Sequence, residues 1–177
     1  QVHEKLFDVV SQLNAGAELI SDPEERRRAA RLNAEAGRKA RSSTAFRSAA
    51  AYFAAAFQHL SEDPWALEPG LAFETRLAQA SCGFMSGNAA EARRLVEELL
   101  PRARTFPALA GVYGLKSDLH LFAGEILEAA TCLLECLERM GMRIPLHPTW
   151  EEVEQAHGEV WTLLGDRPIA SLLELPL

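Results

Sequence analysis

Three times along the chain a glycine or threonine at a helix-breaking corner is followed by apolar residues at fixed offsets. The corners are Thr44, Gly87 and Gly124; five residues on stand Ala49, Ala92 and Ala129, nine on Phe53, Val96 and Leu133, and twelve on Ala56, Leu99 and Cys136. Such self-similarity marks stacked helical hairpins, none of which can bury its apolar face alone. A scaffold or sensor arm fits that pattern better than an enzyme.

The stretches between the corners carry helical signals. Leu6, Val9, Val10, Leu13, Ala17 and Ile20 form a one-sided stripe that predicts a lead-in helix over 1–21. Asp22-Pro23-Glu24-Glu25 starts the next helix with an N-cap, a proline at the first position and an acid three residues after the cap. Its predicted inner face is Ala29, Leu32, Asn33, Ala36, Gly37 and Ala40, small enough to let another helix approach closely. The partner helix answers with Phe46, Ala49, Phe53, Ala56, Phe57 and Leu60.

Asp63-Pro64 and Pro69-Gly70 start further helical turns, and Phe73, Leu77, Ala80, Ser81 and Phe84 predict a buried face. Asn88 with Glu91 forms a capping box ahead of Ala92, Leu95, Val96, Leu99 and Ala103. A third hairpin runs from Phe106 through Phe122 and on to Met140, with Ile126, Leu133 and Leu137 expected inside. Beyond Pro145 and Pro148, Thr149 and Glu152 cap a last helix lined by Trp150, Val153, His157, Val160, Trp161 and Leu164, in which His157 is expected to pack in the core. No strand alternation of useful length occurs, so the expected fold is all-α: three hairpins over 22–145, and a C-terminal capping helix and tail over 146–177.

Charge is unevenly spread. The net charge is −7, which argues against a chain that coats nucleic acid or an anionic membrane. Yet eight basic residues and only Glu35 on the acidic side lie from Arg26 to Arg47, whereas from Glu125 to Leu177 ten acids outnumber Arg139, Arg143 and Arg167. Cys82, Cys132 and Cys136 are odd in number and sit in helical patterns, which suits a reducing, cytoplasmic setting. No apolar run reaches the roughly 18 residues of a membrane span. The opening Gln1-Val2-His3-Glu4 reads as the start of an excised piece.

With each corner at position fifteen of a unit, Gly37 falls on the glycine of the first helix of a tetratricopeptide repeat, and Phe46, Ala49, Phe53 and Ala56 fall on the aromatic and alanine positions of its second. Corner spacings of 43 and 37 residues exceed the strict repeat of ~34. The units therefore resemble degenerate tetratricopeptide repeats, and the expected architecture is an α-solenoid. The strings LFDVV at 6–10, QLNAG at 12–16, ARLNAEAGRKA at 30–40 and STAF at 43–46 resemble the helical region that follows the P-loop ATPase module in large bacterial multidomain sensory kinases. That likeness covers most of residues 2–145. It implies a non-catalytic regulatory or protein-interaction module and carries over no catalytic residue, since this chain has no G-x-x-x-x-G-K-[ST] motif.

Arg27, Arg31, Ala34, Arg38 and Arg41 are spaced four, three, four and three, which puts the four arginines on one helical face. In a tetratricopeptide-like unit Arg31, Ala34, Arg38 and Arg41 line the concave groove, so this strip is the candidate partner site. The partner would be an acidic peptide or a neighbouring domain of the parent chain, as guanidinium forks match carboxylates. A bland reading sets it against a solvated face neutralised by Arg31 with Glu35 and Glu24 with Arg28. The competing functional class is an effector sensor of an ATPase-type regulator, closing the groove near Phe84, Met85 and Leu121 over a small molecule. Cys132, Cys136 and His120 read as core and surface residues rather than a metal site, no cofactor is expected, and no nucleophile has a recognisable motif.

Overall fold

The computed structural model describes residues 2–60 and 62–174, and every regular element among them is helical. Nine α-helices are seen there: α1 (Val2–Ala15), α2 (Pro23–Ser42), α3 (Phe46–Gln58), α4 (Pro64–Leu67), α5 (Pro69–Met85), α6 (Ala89–Leu99), α7 (Phe106–Phe122), α8 (Ile126–Arg139) and α9 (Trp150–Leu164). Short 3-10 turns lie at Ala17–Leu19, Leu100–Arg102 and Ile169–Glu174.

The start signals work as their chemistry requires. Asp22 accepts the Glu25 N–H at 3.1 Å, Asp63 that of Ala66 at 3.1 Å and Asn88 that of Glu91 at 3.3 Å. Thr149 and Glu152 form a reciprocal capping box.

One backbone turn is used at all three corners. Thr44, Gly87 and Gly124 have φ of 58°, 90° and 78°. Each next residue caps the following helix with nearly the same dihedrals: Ala45 at −80°, 60°, Asn88 at −94°, 63° and Glu125 at −90°, 68°. The same two hydrogen bonds close each corner. The N–H of Ala45, Asn88 and Glu125 donates to the carbonyl of Ala40, Gly83 and His120 at 2.9, 2.8 and 3.0 Å, and the N–H of the corner residue donates to Arg41, Phe84 and Leu121 at 3.0 Å. This is a Schellman motif with a left-handed residue at its centre, and it folds each helix pair back on itself in the same way.

The helices pack in chain order: α1 on α2, α2 on α3, α3 on α5, α5 on α6, α6 on α7 and α7 on α8, with α5 also touching α7. A small-residue core of Ala40, Ala49, Phe53, Ala78 and Cys82 joins α2, α3 and α5. A larger one, with Leu95, Leu99, Val112, Tyr113 and Leu119 at its centre, joins α5 to α8. Phe53 is fully buried beside Gly37, where an added Cβ would stand 2.9 Å from three ring atoms. The glycine of α2 thus makes room for the ring of α3.

Some expected inner positions are not inside. The nine-on series is buried at Phe53 and Val96 but 45% exposed at Leu133, because α5 covers α3 and α7 covers α6 while no following helix covers α8 to the same extent. Ile126, at the start of α8, is exposed for the same reason. In α5 the fully buried residues are Ala72, Thr75, Ala78, Ala80, Cys82 and Gly83, whereas Phe73, Leu77 and Phe84 are only half-buried. Helix α9 forms where expected, yet none of its residues is buried. His157 is exposed rather than part of a core, and its Nε2 accepts the Trp161 indole N–H at 2.8 Å.

Candidate functional site

The first helices of the three hairpins, α2, α5 and α7, meet at one groove, α2 reaching α5 through the Arg38–Glu74 ion pair and α5 touching α7. Arg31, Glu74 and Gly111 each stand thirteen residues ahead of a corner, and Arg38, Ser81 and Asp118 each stand six ahead. A groove cavity of about 290 Å³ is lined by Arg38 and Arg41 of α2, Glu74, Leu77 and Ser81 of α5 and Gly111 of α7. At Gly111 a Cβ would stand 2.8 Å from a Leu77 methyl, so the glycine lets α7 close on α5 and form the floor.

The four arginines share the face that their spacing predicts, with Ala34 buried between them, but two are engaged within the fold. Arg27 is ion-paired to both Glu24 and Glu68; hydrogen bonding to Glu68, then the charge of Glu24, holds its guanidinium more firmly protonated than usual. Arg38 crosses from α2 to α5 and meets Glu74 at 2.7 Å. Arg31 and Arg41 are exposed and form no ion pair among the described residues. The expected Arg31–Glu35 and Glu24–Arg28 pairs are absent there as well: Glu24 turns to Arg27, because Glu68 at the head of α5 holds the Arg27 side chain over the same edge. The free positive charge on the groove wall is therefore Arg41, and Arg31 adds a second on the same face of α2, outside the groove lining.

Asn33, on the buried face of α2, belongs to a polar junction that no local pattern announces. Its Nδ2 donates to the Ala29 carbonyl at 3.0 Å and to Asn14 Oδ1 at 2.9 Å, while Asn14 Nδ2 donates back to Asn33 Oδ1 at 2.8 Å. His59 Nε2 meets the same Asn14 oxygen at 2.9 Å. Burial, then the charge of Arg26, pushes the His59 imidazole below its ordinary pKa, which keeps it neutral. Arg26 itself donates to the carbonyls of Gln58 and Leu60 at 3.5 and 3.3 Å. The junction clamps α1 to α2 and to the end of α3, a structural role for Asn33.

The cysteines pack as expected. Cys132 Sγ lies 3.7 Å from the Tyr113 carbonyl and Cys136 Sγ 3.9 Å from Met140 Sδ, and burial pushes the Cys82, Cys132 and Cys136 thiols up. His120 Nδ1 is held by Glu125 at 2.7 Å, at the third corner. Phe84 meets Phe122 edge-on with centroids 5.7 Å apart, and Met85 and Leu121 beside them are exposed. No helix among the described residues is long and apolar enough to cross a membrane.

Comparison with known proteins agrees with the sensory-kinase likeness in part. No family model matches the chain, that of the tetratricopeptide repeat included, and no solved structure matches it. The chain is similar to hybrid signal transduction histidine kinase G of Dictyostelium discoideum, 28% identical over 177 aligned residues that take in 95% of this chain. It spans 5% of the length of that protein. The likeness is to one stretch of a signal-transduction kinase.

Proposed function

We propose that this chain is a non-catalytic, tetratricopeptide-like solenoid that serves as a regulatory and protein-interaction module of a signal-transduction kinase carrying an ATPase domain. The observation that carries this reading is the meeting of α2, α5 and α7 at one groove, with Arg41 left unpaired on its wall and Arg31 unpaired on the same helical face of α2, two turns before Arg38. Three copies of one turn stack hairpins in register, and stacked hairpins present a continuous concave face. The histidine-kinase relative supports the signalling context. An acidic segment, from a neighbouring domain or from a separate protein, lies along the α2 wall with carboxylates on Arg31 and Arg41. Asp118, on the α7 side of the same row, disfavours the reverse orientation.

The test is made in the parent kinase. Arg31→Glu with Arg41→Glu should leave thermal unfolding of the module unchanged, because neither side chain is buried or paired, and should change autophosphorylation by about fivefold or more, the scale of a modest coupling energy. Unchanged autophosphorylation in a normally folded double variant would remove the groove from regulation.

A further inference from the structure

A second cavity, of about 660 Å³, opens at the joint between the second and third hairpins, within the size range of small-molecule sites. It shares no lining residue with the groove of Arg38 and Arg41. Its walls carry Trp65 of α4, Gly70 and Phe73 of α5, and Arg102 and Arg104 of the segment leading into α7. Two guanidinium groups and two aromatic rings face one space, and no carboxylate lines it, in a chain whose net charge is −7.

The parts are held in place. Trp65 is half-buried and packs on Phe57 with ring centroids 5.7 Å apart. Arg102 lies over the Trp65 ring, its guanidinium carbon 4.4 Å from the centroid, and also donates to the Glu98 carbonyl. A guanidinium stacked by its face keeps in-plane N–H groups for an anion. Arg104 is exposed and forms no ion pair among the described residues. Beside Gly70 the space is open, with nothing within 4 Å of where a Cβ would stand, so a flat molecule can reach the backbone there.

We propose that this cavity binds a small planar anion: an aromatic or heteroaromatic ring, seated against Trp65 and Phe73, that bears a carboxylate or phosphate held by Arg102 and Arg104. The ring supplies apolar area and the two arginines supply bidentate charge-assisted hydrogen bonds. Such a ligand bridges α5 and α7 and stiffens the joint between two hairpins. The inference stands apart from the groove reading, since Arg31 and Arg41 take no part in it.

The chain has three tryptophans, and Trp150 and Trp161 lie exposed on α9, which has no buried residue. The variant Trp150→Phe with Trp161→Phe therefore leaves Trp65 as the sole reporter on an intact fold. Titration with phenyl phosphate and with N-acetylphenylalanine should give a saturable change in Trp65 emission for at least one of them below about 10 mM, with inorganic phosphate at least ~10-fold weaker. Arg104→Ala in that background, checked for an unchanged melting temperature, should weaken binding by ~10-fold or more. No saturable change with either aromatic anion, inorganic phosphate binding as tightly as both, or full affinity in Arg104→Ala would each overturn the proposal. Arg31→Glu with Arg41→Glu should leave this titration unaltered, so failure here and failure of the groove are read separately.

Discussion

Thr44 occupies a backbone position that its two sister corners fill with glycine. At φ of 58° a β-branched side chain crowds its own backbone, a cost of roughly 1–2 kcal/mol that glycine does not bear. Glycine in turn loses more chain freedom on folding, roughly 0.5–1 kcal/mol. Thr44→Gly should therefore raise stability by about 0.5–1 kcal/mol, measured as a higher denaturation midpoint, whereas Gly87→Ala and Gly124→Ala should each lower it by about 1 kcal/mol. His59 makes the second residue-scale prediction. Its pKa lies below its ordinary 6.5 in the folded chain, so the unfolded chain takes up the proton more readily. Stability is then complete above about pH 6.5 and is lost as the pH falls below that value. The urea midpoint should drop between pH 7.5 and 5.5, and His59→Gln, which can still donate to Asn14, should flatten that part of the profile.

At the scale of helices, the close approach of α2 to α3 depends on Gly37. Alanine there gains roughly 1 kcal/mol of helix propensity but drives its Cβ into the fully buried Phe53 ring. Overpacking of a rigid site should win, with Gly37→Ala destabilising by about 1–3 kcal/mol on chemical denaturation. The nine-on series gives a sharper comparison. Phe53→Ala should cost about 3–5 kcal/mol, while Leu133→Ala, at 45% exposure, should cost less than about 1 kcal/mol. Caps, corners and the α2, α3 and α6 inner faces were legible because each rests on local chemistry: a left-handed turn, an N-cap, a period of 3.6. The inner face of α5 was not, since α3, α6 and α7 all touch that helix and no one-sided stripe is required of it. Leu133 and His157 depart from their expected burial for a related reason: periodicity tells which residues share a face, and only a packed neighbour decides whether that face is covered.

The whole molecule is electrically lopsided, with its cationic end on α2 and its acidic end beyond α8. The face bearing the four arginines could be read from their spacing, but their availability could not. Glu68 and Glu74, which engage Arg27 and Arg38, lie 41 and 36 residues away and meet them only once the hairpins stack. Under the proposed function, a partner meets Arg41 on the groove wall and Arg31 on the same face of α2, the two arginines of the four with no ion pair among the described residues. The most direct measurement is the affinity of this chain for acidic peptides tiled from the domains that the proposed function places beside it, with the unaltered sequence and with Arg31→Glu plus Arg41→Glu, at low and high salt. At least one peptide should bind the unaltered chain and weaken by about tenfold or more both on charge reversal and on raising salt from about 0.05 to 0.5 M. Peptide affinities that ignore both the reversal and the salt would contradict the account.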